Sequence, residues 1–247
     1  MTLRSRVIAA LLVGLASPAA IAAGFGPHHN PAPGERSPAS AAALPVDGLQ
    51  QRLVKVVKTV SAQVVVIQSP FGLGSGVVFD NRGDVVTNAH VVRGSRRFVV
   101  RLSGGERRAA VLLGADQRHD IAVVRLVGPR PPGAKLARSV PTVGSLVLAI
   151  GNPLGLRSSV TQGIVSSLDR SVAEDDGVTL KPVIQTSAEI SPGSSGGALV
   201  DLAGRVIGIT TLAVPDPELA DVQAPRVGFA IPNATVIEVA KRLIGAV

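Results

Sequence analysis

The sequence predicts an all-β fold of barrels or sandwiches, on three observations. About a dozen short runs rich in Val and Ile follow one another along the chain, each closed by Gly, Pro, Asn or Asp. Their spacing is nearly regular, which favours barrels and sandwiches over a sheet alternating with helices. Helical spacing is confined to one short segment before the runs and one after them.

In chain order, residues 50–60 (Gln-Gln-Arg-Leu-Val-Lys-Val-Val-Lys-Thr-Val) carry apolar side chains at 53, 54, 57 and 60, which predicts a short amphipathic helix. Strands are predicted at 64–67, 76–79, 84–87, 98–102, 109–113 and 121–126, then at 146–150, 163–168, 183–186, 198–201, 205–212 and 228–231. The glycine-rich run Gly72-Leu73-Gly74-Ser75-Gly76 lacks the Gly-x-Gly-x-x-Gly spacing, and a strand rather than a helix follows it. That excludes a dinucleotide site and suggests a turn leading into the strand at 77–79. A proline-rich break at 128–133 and the loop to 143 divide the strands into two groups of about six. Residues 233–243, behind Pro232-Asn233, are apolar at 236, 237, 239, 240 and 243 and predict a capped terminal helix.

The 45 residues ahead of these elements have a different character. Arg4 and Arg6 precede an apolar run over 7–15, then Ser17-Pro18 and the small residues around Ala22 and Ala23. This is the layout of a secretory signal peptide over 1–23. An uncleaved anchor is the alternative, but the run is short against the roughly 20 apolar residues of a spanning helix. Residues 24–45, of Pro, Ala, Gly, Ser and His, are expected to be a linker, with His28-His29 as solvated linker residues. The remainder, 46–247, contains both strand groups, about 60–130 and 143–235. Export to the periplasm, the cell envelope or the medium follows from this reading, with membrane association only if the first segment is retained.

Composition excludes several functions. Hydrophobic residues make up 46% and charged ones 17% of the 247, so the chain can bury a real core rather than remain disordered. With no cysteine, thiolate metal sites, disulfides and Cys nucleophiles are impossible. No His-Glu-x-x-His spacing occurs, and no metal or cofactor is expected. The net charge of +8 comes from scattered arginines such as Arg96, Arg97, Arg107 and Arg108. They form no long basic run and are not interleaved with aromatics, which reads as a solvated surface rather than a nucleic-acid site.

The segment that carries chemistry is Gly193-Ser194-Ser195-Gly196-Gly197. Gly-x-Ser-x-Gly can mark a nucleophile elbow whose partners follow in the order Ser, acid, His. Every histidine (28, 29, 90, 119) precedes Ser195, so that reading fails. The order His, Asp, Ser is supplied instead by His90 in Val-Val-Thr-Asn-Ala-His-Val-Val, Asp120 in His-Asp-Ile-Ala-Val-Val, and Ser195. An order Asp, His, Ser through Asp80 or Asp84 would need an α/β fold that the strand pattern does not provide. Taken alone, His90 could be a hydrogen-bonded core histidine and Asp120 a strand-edge carboxylate. An aspartate leading an apolar run is nevertheless costly to bury without a partner, and His90 is the obvious candidate. His119 is expected on the opposite strand face, exposed.

At these segments the chain resembles the trypsin-like serine proteases, specifically the bacterial HtrA/Deg branch. The resemblance rests on Gly74-Ser75-Gly76-Val77-Val78-Phe79, Val86-Thr87-Asn88-Ala89-His90-Val91-Val92, His119-Asp120-Ile121-Ala122-Val123, Ile150-Gly151-Asn152-Pro153, Thr161-Gln162-Gly163-Ile164-Val165-Ser166, Ile184-Gln185-Thr186, the serine loop, and Gly228-Phe229-Ala230-Ile231-Pro232. It implies an all-β, chymotrypsin-like pair of six-stranded Greek-key β-barrels, with short N- and C-terminal helices and the site in the cleft between the barrels. It also implies a secreted serine endopeptidase acting on unfolded or flexible polypeptides in protein quality control, often as a homo-oligomer. A non-catalytic peptide-binding or chaperone-like module on the same fold is the alternative.

His90 would be the base, Asp120 its orienter and Ser195 the nucleophile. The backbone of Gly193, Ser194 and Ser195 would form the oxyanion hole, and Thr211 would brace Asp120. The substrate pocket would be lined by Ile190, Thr210, Thr211, Leu212, Gly228, Phe229 and Ala230. Three departures from the branch stand out. The chain stops at Val247, so a following PDZ domain is expected to be absent. The connection between the first two strands is too short for a long regulatory loop. Ser194 stands where the branch usually has Asn and trypsin has Asp, so activation by an acidic residue pairing with a new amino terminus is not expected.

Overall fold

The computed structural model describes residues 46–70, 72–152, 159–173, 179–211 and 227–246. The expected signal peptide and linker, and Leu212 of the expected pocket, lie outside them. Residues Pro45–Val247 form one compact unit.

Twelve strands close into two antiparallel barrels. The first contains β1 (Val64–Ser69), β2 (Gly72–Val78), β3 (Asp84–Thr87), β4 (Arg97–Arg101), β5 (Arg107–Asp116) and β6 (Ile121–Leu126), in the spatial order β1-β2-β3-β6-β5-β4. The second contains β7 (Leu146–Gly151), β8 (Ser159–Ala173), β9 (Thr179–Thr186), β10 (Ala198–Asp201), β11 (Val206–Thr211) and β12 (Gly228–Pro232), in the equivalent order β7-β8-β9-β12-β11-β10. In each, the fourth strand returns to pair with the first, which is the Greek-key connection. Closure gives each strand of the two barrels a hydrogen-bonded neighbour on both sides.

Why these segments read as continuous apolar runs follows from the core. Successive residues of a strand face opposite sides of the sheet. In β6, Ala122, Val124 and Leu126 fill the interior of the first barrel, while Ile121 and Val123 join a second cluster outside it. That outer cluster also takes Leu148 and Ile150 from β7 and Ile209 from β11, so it lies between the barrels. The second barrel has its own interior of Val147, Ala149, Ile184, Leu199 and Ile207. Strands buried on both faces lose the alternation of a half-exposed sheet; β4, open to solvent on one face, keeps it as Arg97, Val99 outside and Phe98, Val100 inside.

The helices cover the same inter-barrel cluster. In α1 (Val46–Ser61) the inward stripe is Leu53, Val56, Val57 and Val60, whereas Val54 is exposed. The structure thus replaces Val54 of the expected stripe with Val56, which restores the i, i+3, i+4, i+7 period. In α2 (Asn233–Gly245), Val236, Val239, Ala240 and Ile244 are buried. Leu243 lies over Gly114, where a Cβ would come within 2.9 Å of its Cδ2. The expected cap makes no side-chain hydrogen bond: Pro232 occupies the cap position, and the buried Asn233 Nδ2 donates to Ala137 O at 2.6 Å.

One other sequence expectation is corrected. Gly72 to Gly76 is not a turn before a strand but most of β2 itself, paired residue by residue with β1. The glycines serve close approach: a Cβ on Gly74 would lie 2.5 Å from Val91 Cγ1. A buried carboxylate anchors the far side of this barrel. Asp84, fully buried, is held by Arg125 through Nε at 2.7 Å and a terminal nitrogen at 3.0 Å. That hydrogen bond, strengthened by the carboxylate's charge, raises the Arg125 pKa despite partial burial.

Candidate active site

The two barrels each contribute one side of the site. His90 opens a 3₁₀ turn, η1 (His90–Val92), directly after β3 and the connecting Asn88 and Ala89. Asp120 closes a second 3₁₀ turn, η2 (Gln117–His119), just before β6. Its backbone is left-handed (φ 47°, ψ 43°), the only non-glycine with positive φ among the described residues. Such a conformation costs of order 1–3 kcal/mol and persists only where surroundings enforce it. Asn88, wholly buried, does so by donating from Nδ2 to Asp120 O at 3.0 Å.

The enforced turn aims the Asp120 carboxylate at His90. His90 Nδ1 lies 3.0 Å from Asp120 Oδ2 and 3.1 Å from Oδ1, and the His90 backbone N–H donates to Oδ1 at 3.0 Å. Thr211 Oγ1, from the second barrel, donates to Oδ2 at 3.3 Å. The carboxylate is 2% exposed, so its hydrogen bonds are made away from water, where they are strong. An Nδ1–H donated to this carboxylate leaves Nε2 as the ring's acceptor.

Ser195 is 5% exposed, in the loop before β10. The loop is tied in several places. Gly193 takes φ +86°, a region that side chains disfavour, and Gly196 takes φ +84°. A Cβ on Gly196 would sit 2.1 Å from Ser75 O, so no other residue fits there. Ser194 N–H donates to Ser191 O at 2.9 Å, and Ser194 O accepts from Thr210 Oγ1 at 2.7 Å and from Gly197 N–H at 2.9 Å. This corrects the expected oxyanion hole: the Ser194 N–H is committed within the loop, leaving those of Gly193 and Ser195 as candidate donors. Among the described residues, none accepts from the Gly193 N–H.

The expected pocket is divided. Ile190 packs against Gly228, where a Cβ would meet its Cδ1 at 2.8 Å, and both Ile190 and Ala230 belong to the second barrel's interior cluster. Phe229, on the other face of β12, packs instead against the inter-barrel cluster and is removed from that set. Thr210 and Thr211 both turn their hydroxyls to the loop and to Asp120 rather than to each other.

His119 also departs from expectation. It belongs to η2 rather than to a strand, and its Nδ1 lies 2.9 Å from Asp116 Oδ2. Asp116 Oδ1 accepts the His119 backbone N–H at 3.1 Å, and Arg242 of α2 pairs with Oδ2. Burial pushes the Asp116 pKa up, but the hydrogen bonds from His119 and Arg242 outweigh it, so the net shift is downward. A lowered folded-state pKa means stability that is present above the ordinary carboxylate value of 3.8 and lost as pH falls through the folded value. Asp116→Asn is therefore expected to lower the urea midpoint at neutral pH and to flatten its decline in acid; parallel pH profiles for both proteins would count against this.

Two contributors had no role assigned by residue type or order: Asn88, which holds Asp120, and Ser75, which bonds the serine loop. Ser75 had one signal, a hydroxyl between two glycines of a strand. Among the described residues no group of three or more His, Asp or Glu is arranged to hold a metal.

Residues 74–209, more than half of the chain, match the family described as a trypsin-like peptidase domain. The chain belongs to this family. Within it, its relatives are of the HtrA/Deg branch. The chain is 40% identical over 183 residues to Protease Do-like 1, chloroplastic, of Arabidopsis thaliana, covering 72% of this chain and 41% of that one. It is 39% identical over 175 residues to the serine endoprotease DegS of Escherichia coli K12, covering 70% and 48%. Among solved structures, the HtrA-type protease AlgW with tripeptide matches at TM-score 0.67 and 35% identity, over 77% of this chain and 63% of that one. The serine endoprotease from Yersinia pestis matches at TM-score 0.64 and 33% identity, over 77% and 66%. This trypsin-like chain thus has the chymotrypsin-like double barrel of HtrA proteases, and it spans under half the length of these two curated relatives.

Proposed function

We propose that the chain is a secreted serine endopeptidase in which His90, Asp120 and Ser195 act as one triad on unfolded or flexible polypeptides. The observation that carries this reading is the His90 imidazole hydrogen-bonded through Nδ1 to a buried, fully coordinated carboxylate. Ser195 Oγ attacks the scissile carbonyl while His90 Nε2 takes its proton. Asp120 accepts the Nδ1–H and stabilises the imidazolium. The N–H groups of Gly193 and Ser195 stabilise the tetrahedral oxyanion, and each such donor is worth about 3 kcal/mol. His90 then returns the proton to the leaving amine, and water, deprotonated by the same histidine, releases the acyl group. A fluorophosphonate probe tests the assignment: it labels Ser195 only if the nucleophile is activated, whereas a non-catalytic peptide-binding module stays unlabelled.

The residue before the scissile bond is expected to be small or medium and aliphatic. Ile190, Gly228 and Ala230 carry no charge, so a lysine or arginine would enter unpaired, at a cost of several kcal/mol. A Val or Ala side chain gains roughly 1–2 kcal/mol by burial. The cleavage profile of denatured casein checks this, and dominance of Lys or Arg would sink it.

Export, a signal peptide over 1–23, a linker over 24–45 and a protease domain over 46–247 complete the proposal. The support is the charged, apolar, small-residue order of the first segment and the periplasmic relatives named DegP-like. Among the described residues no helix is long and apolar enough to cross a membrane. Mature protein is expected to begin close to Ala23 or Gly24; amino-terminal sequencing that starts at Met1 would favour the retained anchor.

A further inference from the structure

We propose that Ser75 is a positioning residue for the oxyanion loop, its hydroxyl carrying the geometry of the first barrel into the second. This rests on the protease reading above. Ser75 lies in β2, is fully buried, and bonds to the serine loop from both its backbone and its side chain. Its N–H donates to Ser195 O at 2.8 Å, and its hydroxyl donates to Gly193 O at 2.8 Å. The same hydroxyl oxygen accepts the N–H of Asn152, at the end of β7, at 2.9 Å. A hydroxyl has one proton to give, and the Asn152 N–H occupies its acceptor side. The Ser75 proton is thereby directed to Gly193 O.

The consequence lies in the peptide planes. The plane between Gly193 and Ser194 is pinned at both ends, its carbonyl by Ser75 Oγ and its N–H by Ser191 O. The next plane, between Ser194 and Ser195, is pinned at its carbonyl by Thr210 Oγ1 and Gly197 N–H, which orients the Ser195 N–H. With these fixed, the Gly193 N–H is aimed by the two backbone torsions of Gly193, whose φ is +86°. Glycine visits positive and negative φ about equally readily, so the chain has no steric preference of its own here. Without the Ser75 hydroxyl, the carbonyl of Gly193 is a polar group turned toward the protein with no donor, and rotation of its plane changes ψ of Gly193, which releases the Gly193 N–H from its aim while the Ser195 N–H stays held by the next plane. Thr87 Oγ1, donating to Ser75 O at 2.7 Å, holds β2 in place beneath.

The test uses the full chain, a peptide substrate with Val before the scissile bond, and a peptide boronate, whose tetrahedral adduct places an oxygen in the oxyanion hole. Ser75→Ala is expected to lower kcat by about ten- to a hundredfold, with KM within about twofold, since the loop acts on the transition state. Boronate inhibition weakens by the same factor, while the pH profile keeps its limb because the His90–Asp120 contact is untouched. Ser75→Thr, which retains the hydroxyl, keeps most of the parent kcat. Val236→Ala, in α2, reports how activity follows stability alone. Four results would overturn the proposal: Ser75→Ala with parent kcat; a loss of kcat no greater than that of Val236→Ala at equal loss of Tm; a shifted pH limb; or an Ser75→Ala chain that does not fold, since the hydroxyl would then be a folding contact. A parent chain that neither hydrolyses nor labels removes the protease reading and the proposal together, whereas active parent and equally active Ser75→Ala remove the proposal alone.

Discussion

Ser195→Ala and His90→Ala are each expected to abolish peptide hydrolysis, by about six orders of magnitude in kcat, with the folded state kept. Residues that act as a unit lose nearly everything when either member is removed, so the double variant falls no further than the singles. The fold should survive both changes. Ser195→Ala deletes one hydroxyl, and the Ser195 carbonyl still accepts from Ser75 N–H. His90 is a third exposed, and the backbone N–H that bonds Asp120 is retained in alanine. Steady-state hydrolysis alongside thermal unfolding checks this; turnover near the parent rate in either variant at parental Tm excludes the triad.

Asp120→Asn is expected to cost about four orders of magnitude in kcat while changing the structure little. The cause is the donor count around the carboxylate. Asp120 receives three N–H or O–H donors, from the His90 backbone, His90 Nδ1 and Thr211. An asparagine oxygen can still serve the His90 backbone N–H, but its amide then presents protons to Nδ1 and to the Thr211 hydroxyl. Nδ1 becomes an acceptor, the ring proton moves to Nε2, and the atom that must take the serine proton no longer can. With Nε2 carrying the ring proton, only hydroxide from solvent is left to take the serine proton, so activity of Asp120→Asn should rise with pH where the parent has levelled. A parental pH profile and rate in Asp120→Asn would show that Asp120 does not govern the imidazole.

Much of the fold was legible because its physical cause is local. The Val- and Ile-rich runs end where Gly, Pro or Asp ends them, and β3, β6 and β10 have the bounds that composition alone predicts. Boundaries slipped where pairing overrides composition. β8 extends to 15 residues, through Ser159 and Ala173, because β7 and β9 offer backbone partners to polar residues that have no strand preference of their own. The glycines of β2 have the composition of a turn for the same reason. What makes them a strand is the partner in β1 and the side chains of Val91, Val85 and Ile67 pressing on the space a Cβ would take.

The site divides along the same line. Residue types and their order along the chain determined the candidates His90, Asp120 and Ser195, since only a base, an acid and a hydroxyl in suitable surroundings can share a proton. Which atoms meet was decided by the tertiary structure. The left-handed turn at Asp120, the Asn88 amide that holds it, the Thr211 hydroxyl from the other barrel and the Ser75 bond to Gly193 all join segments distant in sequence. The Phe229 side chain, which the family resemblance put in the pocket, falls to the inter-barrel core by strand alternation once the register of β12 with β11 is set. Hydrogen bonds act over about 3 Å, so they depend on where two barrels bring their loops, and no local pattern of residues carries that information.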